Sequence, residues 1–255
     1  MNTNTISRSF IVTLALGATL LLGAHTTARA QYTFFPHNAT INYALPSSSN
    51  SAVVGYPNQA DWSAHTHGTS PTIYVKSGAS IDYSYTFNSS IVHMSGGNVS
   101  CWLIQDSSAV GVTGGTIGQV GVYDTAKINV HSGRILGYLT AAYGGTANVY
   151  GGIIGSTNYY AGVATGGTMN IYGGMFYGGS GTSALVYVGI ANDPIRGVVE
   201  GAATLNMYKG SSLTISSVVS MTGGYEYTLK GFLKDGTNVT GFKVFVLTGS
   251  TFNIL

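Results

Sequence analysis

The charged side chains best placed for chemistry gather in one stretch. Asp193, Arg196 and Glu200 lie close together, and Lys209 follows, in a chain of which only 7% is charged. An arginine beside carboxylates can hold a sugar hydroxyl or a carboxylate through charge-assisted hydrogen bonds. A basic side chain beside Ca²⁺-holding carboxylates would also suit a polysaccharide lyase. The chain is poor in the acids such a site needs, with eight Asp and Glu in all. The paired carboxylates of glycoside hydrolysis are not evident either. The plainer reading is a solvated loop with a surface ion pair, so no catalytic residue is assigned.

A second cluster is His65-Thr66-His67, with Asp61 close by. Two histidines at i and i+2 on a strand share a face, and a divalent metal can use that spacing. Two ligands without a third make a weak site, and this stretch aligns with a turn. No metal or other cofactor is expected. A third set is made of repeated positions. Asn129, Asn148, Asn170 and Asn206 occupy one, and His131, Tyr150, Tyr172 and Tyr208 another. Brought into files, the aromatics are candidates for stacking on sugar rings or on a protein partner. Identical side chains also stack well on one another, as in cross-β ladders.

Those files exist only if the chain repeats in space. Gly78, Gly97, Gly115, Gly133, Gly152, Gly174 and Gly210 recur at steps of 18 to 22 residues, the last at a double step. Five and three residues before each glycine stand Ile73/Val75, Val92/Met94, Val110/Val112, Ile128/Val130, Ala147/Val149, Met169/Ile171 and Leu205/Met207. All are apolar, and most residues between them are polar, which is the period of a half-buried strand. A further apolar residue follows each glycine: Ile81, Val99, Ile117, Ile135, Ile154, Phe176 and Leu213. The glycine is a corner, with φ expected to be positive. A third apolar segment precedes each strand pair, as at 62–64, 103–104, 120–122, 139–141 and 161–164. Three short strands and three corners per unit predict an all-β fold, a right-handed parallel β-helix of about 8–9 coils of 18–22 residues. A single coil cannot bury its inner face, so the coils must stack.

The organisation follows. Residues 1–30 read as a signal peptide: Arg8, an apolar run over 10–24, then Ala28-Arg29-Ala30 as a small-x-small cleavage site before Gln31. Residues 31–60 read as an N-terminal cap, 61–219 as coils and 220–255 as a capping β-hairpin turning at Asp235-Gly236. The remaining chain balances eight basic against eight acidic residues, because Arg8 and Arg29 fall in the leader. Neutrality removes the electrostatic basis for nucleic-acid binding, and no membrane span is expected after the leader. Cys101 is the one cysteine, which rules out an intramolecular disulfide and suits burial in a coil.

Units such as Thr146-Ala-Asn-Val-Tyr-Gly-Gly-Ile-Ile-Gly155 and Ser90-Ile-Val-His-Met-Ser-Gly-Gly97 resemble the coils of secreted bacterial β-helix repeat proteins. These are the PEP-CTERM-type and planctomycete-type secretome proteins, whose tails also resemble 227–255. More loosely, the coils resemble the passenger repeats of autotransporter adhesins. The resemblance implies an exported β-helix and carries over no catalytic residue. Neither the sorting helix of the first group nor the membrane barrel of the last is expected here, so covalent sorting or self-translocation is not expected either. The expected function is non-enzymatic and adhesin-like, at the cell surface or in an extracellular matrix. Its partners would be glycans or other copies, bound through a rigid flank. The alternatives are a β-helix carbohydrate-active enzyme and a purely structural rod.

Overall fold

The computed structural model describes residues 32–46, 50–56, 58–156, 161–177, 185–193 and 197–255. Its strands stack in parallel as a β-solenoid of about seven turns. On the first side, nine strands stand in register: Ala39–Ile41, then rungs starting at Thr72, Ile91, Ala109, Lys127, Thr146, Thr168 and Thr204, and finally Thr251–Ile254. The third side runs equally far, from Tyr32–Phe35 to Lys243–Leu247. The second side starts at the Ala44–Ser80 bridge and ends at Met175–Phe176. Turns complete on all three sides are therefore fewer than the rungs, which is why the 8–9 units of the periodicity correspond to about seven turns.

All fourteen apolar positions before the corner glycines point inward, with at most 2% of their surface exposed. The residues after the glycines are buried as well. Each large aliphatic side chain so buried contributes about 1.5–3 kcal/mol. Six of the seven glycines turn the corner at positive φ, between 79° and 98°. Gly210 does not, which corrects its reading as a corner. There the chain leaves the solenoid in the strand Lys209–Met221, which pairs antiparallel with Gly224–Leu233.

A second corner forms its own file. Asn88, Asp106, Asp124, Tyr143 and Thr165 all have φ between 45° and 59°. Asn and Asp tolerate this left-handed region because their short polar chains bond locally. The Asp106 carboxylate accepts from the Asn88 N–H at 2.8 Å, and the Asp124 carboxylate accepts from the Asp106 N–H at 3.3 Å. The first three of these corners are thus tied in sequence.

The rungs begin earlier than the glycine periodicity. The region read as a separate cap, 31–60, supplies Tyr32–Phe35, Ala39–Ile41 and Ser51–Val54 to the ladders. The segment 62–64, expected as a third-side strand, is instead part of a short helix, Gln59–Ala64. Asn58 caps its N-terminus by accepting from the Asp61 N–H at 3.0 Å, and His65 ends it at φ 52°. The C-terminal region does contain the expected hairpin, with Gly224–Leu233 antiparallel to Lys243–Leu247. It does more than cap, since Lys243–Leu247 and Thr251–Ile254 are the last parallel rungs.

The corner geometry gives a paired test. Gly133 and Gly236 both have positive φ, but a Cβ on Gly133 would lie 3.0 Å from the Gly115 carbonyl oxygen, whereas one on Gly236 meets nothing within 4 Å. Both alanine variants carry the φ penalty of about 1 kcal/mol. Gly133→Ala is expected to lose roughly 1–2 kcal/mol more in urea unfolding, through displaced backbone; equal losses would show that the corners do not constrain the stack.

Candidate functional site

The two predicted files form as continuous rows. Asn148 donates its side-chain amide to Asn129 at 2.9 Å, Asn170 donates to Asn148 at 2.8 Å, and Asn206 donates to Asn170 at 2.8 Å. The row then gains a member that the glycine marker did not reveal. Asn253 donates to Asn206 at 2.8 Å. Its signal was in the sequence: Thr251-Phe-Asn-Ile254 repeats Thr168-Met-Asn-Ile171 and Thr204-Leu-Asn-Met207. These half-buried amides bond along the rod, so each interior Asn spends one donor and one acceptor on the row itself.

The aromatic row runs beside it, two residues further along each rung and ahead of the corner glycine. His131 and Tyr150 stack with centroids 4.7 Å apart and planes 6° apart. Tyr150 and Tyr172 follow at 4.7 Å and 12°, then Tyr172 and Tyr208 at 3.9 Å and 14°. Rings stacked this way cover each other's faces and leave their edges to solvent. A sugar ring needs an open aromatic face, so the row is a poor platform for saccharide stacking along its length. The geometry matches self-stacking of like side chains. Tyr172 feels the row most. Its hydroxyl is held protonated up to about 12, first by its hydrogen bond with Tyr208, then by burial and by the neighbouring phenols.

The turn at Lys234-Asp235 sits against this row. The Lys234 ammonium lies 6.0 Å from the Tyr172 ring centroid. Asp235 accepts from the Gly174 N–H at 2.9 Å, and from the Thr237 N–H and hydroxyl at 2.8 Å each. It therefore anchors the turn to the solenoid.

The charged stretch 190–209 is divided between two elements. Ile190–Asp193 and Gly197–Glu200 form an antiparallel hairpin. Its Ala191 and Val199 are buried together with Tyr123, Ala142 and Ala164 on the outer face of the third side. The hairpin is a strap. Thr165 fastens it, its hydroxyl donating to the Glu200 carbonyl and its N–H to the Gly201 carbonyl, both at 3.0 Å. Glu200 and Lys209 are both exposed, and they stand at opposite ends of the rung Thr204–Met207. Arg196 lies outside the described residues, and Asp193 is described only as strand backbone. The residues that the structure places are not drawn into a common cleft.

The two histidines go separate ways, since they follow a helix instead of lying along a strand. His65 Nδ1 is 3.3 Å from the Tyr56 hydroxyl, and His67 Nδ1 is 2.8 Å from Asp61 Oδ1. The latter contact, with help from Asn58 and Thr66, lowers the Asp61 carboxyl below its ordinary range. Among the described residues, no group of three His, Cys, Asp or Glu side chains is placed to hold a metal. Cys101 is buried beside Leu103 and Tyr123. Sequence reasoning missed the aromatic cluster around Trp62, because the helix that presents it carries no repeat signal.

Two predictions come from the rows. Asn170→Ala removes one donor and one acceptor in mid-row and is expected to cost about 1–3 kcal/mol; Asn253→Ala, losing one bond at the end, should cost about 0.5–1.5 kcal/mol. Denaturant unfolding of both variants checks the order. For Tyr172 the neutral form is the favoured one in the folded state. Between its ordinary value of 10.0 and about 12, the unfolded chain releases the proton and the folded chain keeps it, so stability falls as pH rises through that window. Tyr208→Phe should shrink this fall and move phenolate absorbance toward lower pH; an unchanged titration would remove Tyr208 as the cause. Comparison with protein-family models, curated proteins and solved structures gives no match for this chain.

Proposed function

We propose that this chain is an exported, non-enzymatic rod of the cell surface or extracellular matrix that works by associating with other copies of itself. The leader-like pattern of 1–30 and the resemblance to secreted repeat proteins support export. The charged stretch supports no enzyme, because the strap's described role is to cover the third side. The closed faces of the aromatic row weigh against a glycan platform there.

The observation that carries the reading is the strand Lys209–Met221. One edge pairs with Gly224–Leu233, and the other has no partner strand among the described residues. Residues 210–225 contain no charge. Ile215, Val218, Val219 and Met221 are each 43–52% exposed. Edge strands are ordinarily blunted by charge, proline or a cover. This one has a register irregularity between Ile215 and Ser217, and beyond Lys209 at its start it carries no charge. A second copy suits it in particular. Paired antiparallel about Ser217, the strand sets Leu213 opposite Met221, Ile215 opposite Val219 and Thr214 opposite Ser220. Such a two-fold contact is self-complementary and closed, and it would join two three-stranded antiparallel sheets into one.

The test is the mass in solution by sedimentation equilibrium. The wild type is expected to be dimeric at tens of micromolar, and Val218→Lys with Val219→Lys to be monomeric with an unchanged melting temperature. A wild type that stays monomeric at roughly 100 μM would overturn the reading.

A further inference from the structure

The outer face of the third side is covered by two separate devices, the strap and the helix Gln59–Ala64. Where the helix meets the ladder, an open hollow of about 330 Å³ remains, with walls formed by Gln59, Trp62, His65, Tyr85, Phe87 and Gln105. We infer that this hollow is a binding site for a neutral saccharide.

The walls supply aromatic faces. Tyr85 and Phe87 lie parallel within 2°, their centroids 6.4 Å apart. Trp62 leans over them at 52° and 51°, with centroids at 5.3 and 6.4 Å, and is itself backed by Tyr32 at 4.7 Å. Trp62 is tilted against both and does not cover them as the rings of the stacked row cover one another; Phe87 is buried behind it, so the open aromatic surface is that of Trp62 and Tyr85. Trp62 and Tyr85 remain half-buried, which is the state of a side chain with surface left to give.

The polar groups are neutral and partly unspent. Gln105 is half-buried, and its side-chain amide has no hydrogen-bond partner among the described residues. Gln59 gives an amide hydrogen to Ser63 at 3.1 Å and keeps its carbonyl. His65 uses Nδ1 on Tyr56 and keeps Nε2. No Lys, Arg, Asp or Glu lines the hollow. The nearby Asp61 is engaged by Asn58, Thr66 and His67. A few polar groups set in an aromatic wall are the composition of small-molecule sites. A sugar supplies the complement, an apolar C–H face for the rings and hydroxyls for the amides. An acidic sugar would find no cation. An extended peptide would find no strand edge, since Ser80–Thr86 is paired on both sides.

The site is separate from the edge strand and stands without the self-association reading. Its reporter is built in. The chain has two tryptophans. Trp102 is fully buried, its indole N–H bonded to Thr86 at 2.9 Å, so a ligand in the hollow is sensed by Trp62 alone. Full-length protein is titrated with cellohexaose, xylohexaose and mannohexaose, and with oligogalacturonate as the acidic control, while tryptophan emission is followed. A saturable change is expected with at least one neutral hexaose and not with the acidic control. Trp62→Ala should abolish the change. Because that variant also loosens the helix, Gln105→Ala is the sharper probe: it should bind roughly three- to tenfold more weakly with an unaltered melting temperature. No saturable change up to about 10 mM, equal binding of the acidic control, or wild-type affinity in Gln105→Ala would each overturn the assignment.

Discussion

Backbone must pass close to backbone at the glycine corners, and the rest of the molecule depends on that approach. A side chain on Gly133 or Gly152 would press on the carbonyl of the glycine one turn before. With hydrogen in that place, consecutive turns settle at strand spacing, about 4.8 Å. Only then can an asparagine amide reach the next asparagine at 2.8–2.9 Å and a tyrosine ring lie flat on its neighbour. The rows are therefore read-outs of the corner and not its cause. The same approach explains the apolar pairs, because stacked inward chains share one continuous core.

The third side shows how a solenoid handles a flank that is apolar on both faces. Its inner face belongs to the main core, and its outer face carries Cys101, Leu103, Ala142 and Ala164 in a second cluster. Gly121 and Gly162 leave room for the covering layer: a Cβ on Gly121 would strike the Tyr123 ring, and one on Gly162 would come within 2.9 Å of Ala191 Cβ. The hairpin 190–200 is the insertion that interrupts the periodicity, and this cover is its physical reason. Charge within it had suggested a reactive site; burial of Ala191 and Val199 gives it a packing role.

Much of this was legible. The glycine step and the paired apolar positions specify strands, corners and stacking, since each is a local requirement repeated many times. The Asn and Tyr rows follow once the turns are aligned. What was hidden depends on contacts between distant segments. The helix at Trp62 is set by its Asn58 cap and by packing on Tyr32 and Tyr85, none of which has a period. Asn253 was hidden because the chain leaves the solenoid at Lys209 and returns only at Lys243, so the marker glycine is missing although the Thr-x-Asn pattern persists. The open faces at Trp62 and the closed faces of the tyrosine row could not be told apart by residue type; only ring orientation separates them.

That detour also governs the order in which the rod can form. Most rungs of the Asn row pair residues 19 to 36 apart in sequence, whereas Asn206 pairs with Asn253 across 47. Turn-by-turn growth resembles a zipper, in which each new turn docks on a finished one. The final rung cannot be zipped; it must wait until the antiparallel arm has folded back. Closing 47 residues in place of 19 adds only about 0.8 kcal/mol of chain entropy, so the delay is one of sequence and not of stability. The rod thus has a finishing step, and until it occurs the lower edge of Thr204–Met207 stays open.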